Sequence, residues 1–258
     1  MIGWHGSRAA LAIASAAGVL VAMPAKAEHE DARALVKAVV AALPKVPLTA
    51  KLELTTAQGV RKLDMSSKRI GGDRASYIEV VAPDALQGIR FLFIEHEAGP
   101  PDQYIKVASA RNAARVTDQI RKQPFLDSAF YVSDMVEPQV DMYEYQFVGE
   151  EEIGGRHCRL VESVPKRPDD EIYSKTIIAL DPQDFIVMRR QFFDRKGQLL
   201  KTWTIKKVEK VDGFWTFMQH EMVNEQEKVS SQLNLLEIKY NAELSDAMFT
   251  PTYLLREK

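Results

Sequence analysis

One cysteine, Cys158, stands in 258 residues. A lone thiol closes no internal disulfide, so stability must come from a packed core. Cys158 itself reads as a small buried hydrophobe. Its alternative role as a nucleophile gains nothing from His157, because neighbours on a strand face opposite ways. An excess of positive charge is also missing: 34 Lys and Arg stand against 36 Asp and Glu. That balance suits neither a phosphate backbone nor a generic nucleic-acid partner, and nucleic acid is not an expected partner. No apolar run reaches the roughly 20 residues that a spanning helix requires. The chain lacks G-x-S-x-G, P-loop and G-x-G-x-x-G motifs. His96, His157 and His220 are scattered without metal-ligand spacing. Asp181 and Asp184 bracket Pro182 in a turn, where Asp is expected for local hydrogen bonding. No catalytic residue, metal or cofactor is therefore expected, although paired-carboxylate hydrolysis stays open.

The N-terminus has its own character. Arg8 precedes an apolar, Ala-rich run over residues 9–23, Pro24 breaks it, and Ala25-Lys26-Ala27 places small residues where a signal peptidase reads. Residues 1–27 are expected to be a secretory signal peptide cleaved after Ala27, the alternative being a membrane anchor. The remaining chain, residues 28–258, holds 32 basic and 36 acidic residues. No composition break divides it, so it is expected to form one domain.

Residues 28–43 read as an amphipathic helix through Leu35, Val36, Val39, Val40 and Leu43, stopped by Pro44 and Pro47. The period then changes to two. "LTAKLELT" and "RKLDMS" flank a turn at Gln58-Gly59, and the alternation recurs in "SYIEVV", "IRFLFIE" and "DQYIKVAS". "YEYQFVGEEEIGGRHCRLVESV" reads as two strands around Gly154-Gly155. "IYSKTIIALD", "FIVMRRQFFD", "LLKTWTIKKVEKV", "FWTFMQHEMV" and "SSQLNLLEIKY" complete the series. Some ten or eleven strands at regular spacing predict a large antiparallel sheet curled into a barrel or half-barrel.

Several strands are apolar on both faces. Ile89, Phe91 and Phe93 oppose Leu92 and Ile94, and Trp203 and Ile205 lie across one hairpin from Trp215 and Phe217. A sheet with one face in water needs no such pattern. The N-terminal helix, an apolar loop over residues 124–136, or a cavity for an apolar ligand would each account for it. The candidate cavity residues are Leu52, Leu54, Ile78, Val80, Phe91, Phe93, Tyr143, Tyr145, Trp203, Ile205, Trp215 and Phe217. The plainer reading of each is ordinary core.

An ordered series of segments carries a family resemblance. Pro83, Asp84 and Gly88 precede an apolar strand. Arg111 and Arg115 follow a strand, and Ser133-Asp134 sits in an aromatic segment. Gly155, Cys158, Val161 and Glu162 form a "G-x-x-C-x-x-V-E" run, and Phe193, Asp194, Gly197, Leu199 and Lys201 form the last motif. Over residues 75–250 the chain resembles the LolA-like outer-membrane lipoprotein-sorting family, in its exporter-associated branch. It departs from the pattern in the alanines Ala113 and Ala114 and in Phe193, where the family has Tyr. The resemblance implies a half-open antiparallel β-barrel with a helical or loop lid. It further implies a periplasmic carrier of lipid or acyl chains, partnered with an inner-membrane transporter of the RND superfamily and touching membranes transiently. A sensor or interaction module of the same architecture is the alternative, with an envelope hydrolase behind it.

The basic stretch Arg111, Arg115, Arg121 and Lys122 runs into "QPFLDSAFYVSDM", whose apolar residues keep no clean period. That suits a lid. Arg111, Arg115, Phe125, Phe130 and Tyr131 are expected at the cavity mouth or a partner contact, the arginines facing a lipid phosphate or an acidic transporter loop. Ordinary solvated arginines are the other reading.

Overall fold

The structure is a computed structural model and describes residues 25–137 and 139–256. The expected signal peptide lies, up to residue 24, outside the described residues.

Helix α1 (Ala25–Ala42) precedes a meander of strands: β1 (Leu48–Thr56), β2 (Gly59–Ile70), β3 (Asp73–Ala82), β4 (Arg90–Glu95), β5 (Asp102–Lys106) and the short β6 (Ala114–Arg115). A one-turn helix, α2 (Asp118–Arg121), and three 3₁₀ turns follow. The second half comprises β7 (Tyr143–Ile153), β8 (Arg156–Pro165), β9 (Lys175–Asp181), β10 (Ile186–Phe193), β11 (Leu199–Val211), β12 (Phe214–Asn224) and β13 (Val229–Tyr240). All thirteen strands join in one antiparallel sheet, ordered β6-β5-β4-β3-β2-β1-β13-β12-β11-β10-β9-β8-β7. β6 and β7 are free edges, so the sheet is open, a half-barrel. The structure is mainly β, with two strands more than the upper expectation. The "ARVTDQI" stretch keeps only a two-residue strand before α2 takes over.

Most neighbouring strands are hairpin partners because tight turns join them. Gly154 and Gly155 close the β7–β8 turn with φ of 59° and 75°, the left-handed region that costs glycine nothing. The one long-range pairing, β1 with β13, closes the middle of the sheet.

Alternation gives the sheet two faces. On the inner face lie Leu54, Leu63, Ile78, Val80, Phe91 and Phe93, clustered with Phe125, Phe130 and Val132 of segment 116–136, the lid. Further along the same face, Tyr145, Val161, Ile178, Leu180 and Val187 pack under Ala32, Val36 and Val39 of α1. These three helix positions recur at helical spacing, which is why α1 buries one stripe. The outer face is covered too. Tyr77 and Leu92 pack against Phe249 and Leu254 of the C-terminal segment, with Tyr253 edge-on to Tyr77 at 5.4 Å. That contact explains why β3 and β4 are apolar on both sides.

The lid has no ladder of its own and is held by separate polar pins. Its backbone turns left-handed at Leu126 and Asp127, with φ of 52° and 59°, and Phe125 N–H donates to the Phe130 carbonyl at 2.7 Å. Arg61, itself bonded to Thr56 at 2.8 Å, reaches Asp127 at 3.1 Å. Ala129 N–H donates to Ser231 Oγ at 3.0 Å. Gln103 accepts from Val116 N–H through its backbone and donates its amide to the Val132 carbonyl. The most deeply buried pin is Lys201 of β11, which pairs with Asp134. Asp134 also accepts from the Tyr173 hydroxyl at 2.6 Å and from Tyr131 N–H at 2.7 Å. The Lys201 ammonium lies 3.6 Å from the Tyr131 ring centroid and 5.1 Å from that of Tyr173. Burial lowers the Lys201 pKa, and the Asp134 carboxylate opposes that shift.

Lys201→Met leaves Asp134 buried without its cation and should cost about 3–5 kcal/mol in urea unfolding, whereas adding Asp134→Leu should recover most of the loss. A double variant as unstable as the single one would show that the pair is not the pin. His220 sits against Trp203 and Phe217, and burial pushes its pKa down to about 4 from the ordinary 6.5. Above pH 6.5 it is neutral both folded and unfolded. Between 6.5 and 4 the unfolded chain takes up a proton that the folded chain refuses, so stability should fall with pH across that window. His220→Phe should flatten the slope, and an NMR titration placing the imidazole at its ordinary value would contradict the prediction.

Candidate ligand cavity

The inner face is not filled everywhere. A cavity of about 230 Å³ lies where β1 to β4, residues 43–46 and the lid meet. Its apolar walls include Leu52, Leu54, Ile78 and Phe93 from the sheet and Phe125 and Phe130 from the lid. An apolar cavity of about 150 Å³ already holds benzene, so this one is large enough for a hydrocarbon stub.

Register builds a polarity gradient along the cavity. Inner positions of β2 and β3 pair as Leu63 with Val80, Met65 with Ile78, Ser67 with Ser76, and Arg69 with Arg74. Each step of two residues keeps the same face. The walls therefore pass from aliphatic, through a hydroxyl pair bonded at 3.0 Å, to two guanidinium groups. Lys45, from the linker after α1, lines the same cavity.

The structure places the sequence-predicted residues as follows. Leu52, Leu54, Ile78 and Phe93 line the cavity, as do Phe125 and Phe130 of the lid. Val80 and Phe91 belong to the same cluster, the Phe91 ring lying 4.8 Å from that of Phe125. Tyr143 and Tyr145 pack in the neighbouring cluster under α1, and burial pushes the Tyr145 pKa up to about 12. Trp203 touches both inner clusters, and Ile205 is buried two residues further along β11. Trp215 and Phe217 do not line the cavity and pack with Cys158, Ala179, Ile186 and Met188, the Phe217 ring also meeting that of Trp203 edge-on at 6.2 Å. Ala179 faces away from Ile178 and Leu180 on β9, which puts that cluster on the outer side. Bulges in the β11–β12 pairing shift the parity between Ile205 and Val208. Tyr131 stacks over Tyr173 at 6.5 Å and caps the Lys201 pin. Arg111 is exposed in the β5–β6 connection, and Arg115 pairs with Asp102 on the neighbouring strand. Neither arginine lines the cavity. Leu63, Met65, Leu233, Lys45, Arg69 and Arg74 do so without having been singled out from the sequence. For Leu63, Met65 and Arg69 the signal was the alternation in "RKLDMSSKR", which ends in charge rather than in a turn.

Polar chemistry is sparse here. Among the described residues no cluster of three or more His, Cys, Asp or Glu is placed to hold a metal ion. Cys158 is buried, and burial pushes its thiol up to about 11, which keeps it protonated at neutral pH. No helix among the described residues is long and apolar enough to cross a membrane.

Comparison with known structures agrees with this architecture. A domain from Vibrio parahaemolyticus, provisionally assigned as an outer membrane lipoprotein-sorting protein, superposes with a TM-score of 0.82 at 23% identity, over 88% of this chain and 100% of its own. A DUF1329 family protein from Desulfovibrio piger gives 0.82 at 22% identity, over 88% and 99%. A LolA superfamily protein from Nitrosomonas europaea gives 0.65 at 18% identity, over 90% and 100%. No curated protein matches the chain. A family model described as "Uncharacterized protein" matches residues 72–256. With well over half its length matched, the chain belongs to that family, and its fold is LolA-like.

Proposed function

We propose that residues 28–258 form one exported domain that carries lipid or lipoprotein acyl chains through the periplasm, in exchange with an inner-membrane transporter of the RND superfamily. The observation that carries this reading is the unfilled apolar space under a lid whose own phenylalanines close it. Burial of a methylene contributes about 0.8 kcal/mol, so an acyl chain needs no polar partner along its length. The Vibrio domain, which shares the fold, carries a provisional assignment to lipoprotein sorting, and that supports the same class of cargo. The apparent leader at residues 1–27 supports export.

The test is native mass spectrometry and lipid extraction on protein recovered from the periplasm, followed by titration with a fluorescent fatty-acid probe. Lipid is expected to co-purify, and delipidated protein is expected to take up the probe. Ile78→Trp, which fills the cavity from β3, should weaken probe binding at least about tenfold, the loss of some 1.4 kcal/mol of contact. Protein that emerges without lipid and ignores the probe would overturn the carrier reading.

A further inference from the structure

We propose that the cavity selects amphiphiles with an anionic head, a carboxylate or phosphate, seated on Lys45, Arg69 and Arg74 while the tail runs along β2 and β3 toward Leu63 and Val80. This rests on the carrier reading above and specifies its ligand class. The first support is the gradient. Aliphatic, hydroxyl and cationic pairs succeed one another on a single face, and the six steps along β2 from Leu63 to Arg69 span about 20 Å. A wholly apolar ligand would make no use of the cationic end.

The second support is uncompensated charge. Arg69 and Arg74 stand directly opposite each other across an antiparallel pair, an arrangement that is destabilising for like charges. Glu95 accepts two hydrogen bonds from Arg74, at 2.6 and 3.1 Å, and so offsets one of the two. Arg69 donates to the Gly72 carbonyl at 2.9 Å, a neutral partner. Among the described residues neither Arg69 nor Lys45 has a carboxylate within ion-pair distance, and both are exposed where the cavity opens. Glu97 approaches Gly72 without pairing to Arg69. Lys68, which also borders the cavity, turns its ammonium away to the Leu244 carbonyl and Asp246. Two free cations beside an apolar cavity are complementary to a head group that brings negative charge and hydrogen-bond acceptors.

Four ligands separate the possibilities: dodecanoate, dodecyl phosphate, dodecanol and inorganic phosphate, each competed against a bound fluorescent probe on the delipidated full chain. The two anionic amphiphiles are expected to bind on the order of tenfold more tightly than dodecanol, the range of a hydrogen bond to a charged group. Arg69→Gln and Lys45→Gln should each bring that ratio toward one, and both positions are exposed enough to tolerate the change. Arg111→Gln should leave the ratio as it is. Equal binding of dodecanoate and dodecanol by the unmodified chain would overturn the head-group site while leaving the carrier reading in place. Failure of all three amphiphiles to bind would overturn both. Inorganic phosphate displacing dodecyl phosphate at similar concentration would show a free-anion site instead. Loss of the ratio in Arg111→Gln would move the head-group site to the other end of the lid.

Discussion

An open sheet with an apolar inner face has to be covered by something that is not sheet, and the rest of the molecule follows from how that is done. Two pieces of chain share the task. Helix α1 lies over β7 to β10 with one regular stripe, Ala32, Val36 and Val39. The lid lies over β1 to β5 with irregular turns and a few aromatic side chains. A helix presents its apolar residues at fixed spacing and packs closely against strands. A chain of 3₁₀ turns cannot match a twisted sheet residue by residue, so space remains between it and β1 to β4. The cavity lies under the irregular cover and not under the helix.

The two covers are also held differently. α1 depends on area. The lid depends on points: Arg61 to Asp127, Ser231 to Ala129, Gln103 to Val132, and above all Lys201 to Asp134. A buried ion pair contributes little net stability compared with a well-packed apolar replacement. It does fix one arrangement, because either group buried alone is strongly unfavourable. The Tyr131 and Tyr173 rings around the Lys201 ammonium reinforce that specificity by offering it their π faces. The lid is thus pinned in one position by a few separate polar contacts.

Much of this was legible in the sequence, and the parts that were not share a cause. Period-two runs from Leu48 to Tyr240 disclosed the sheet, and the apolar disorder of "QPFLDSAFYVSDM" disclosed the lid. Leu54, Ile78 and Phe93 fell on the cavity because alternation within a strand needs no partner to be read. Trp215 and Phe217 did not, because bulges between Ile205 and Val208 change parity in a way that no local pattern signals. The greasy outer positions Tyr77 and Leu92 were explained by the C-terminal segment around Leu254, some 160 residues away in the chain. Arginine density drew attention to Arg111 and Arg115, yet the cationic end of the cavity is made by Arg69 and Arg74. Each of those is unremarkable until the β2–β3 register places them opposite each other. What the sequence withheld was pairing, not propensity.

Pairing also bears on how a carrier of this design would load. The cavity at about 230 Å³ is too small for a complete acyl tail, so a tail must displace part of the lid. Burying a twelve-carbon tail contributes roughly 9 kcal/mol at about 0.8 kcal/mol per methylene. Withdrawing Phe125, Phe130 and Val132 from the inner face forfeits about 5–9 kcal/mol, at 1.5–3 kcal/mol for each buried side chain. The two sums are close. In the proposed carrier, lid and tail would compete for the same surface on nearly equal terms, so small additions at its ends would steer the exchange. On the proposed reading, the Lys201–Asp134 pin would favour the lid in place, and a charged head on Arg69 and Lys45 would favour the guest. A carrier that must both take up and give away its cargo requires that near-balance; a deeper, permanently open cavity would bind more tightly and release nothing.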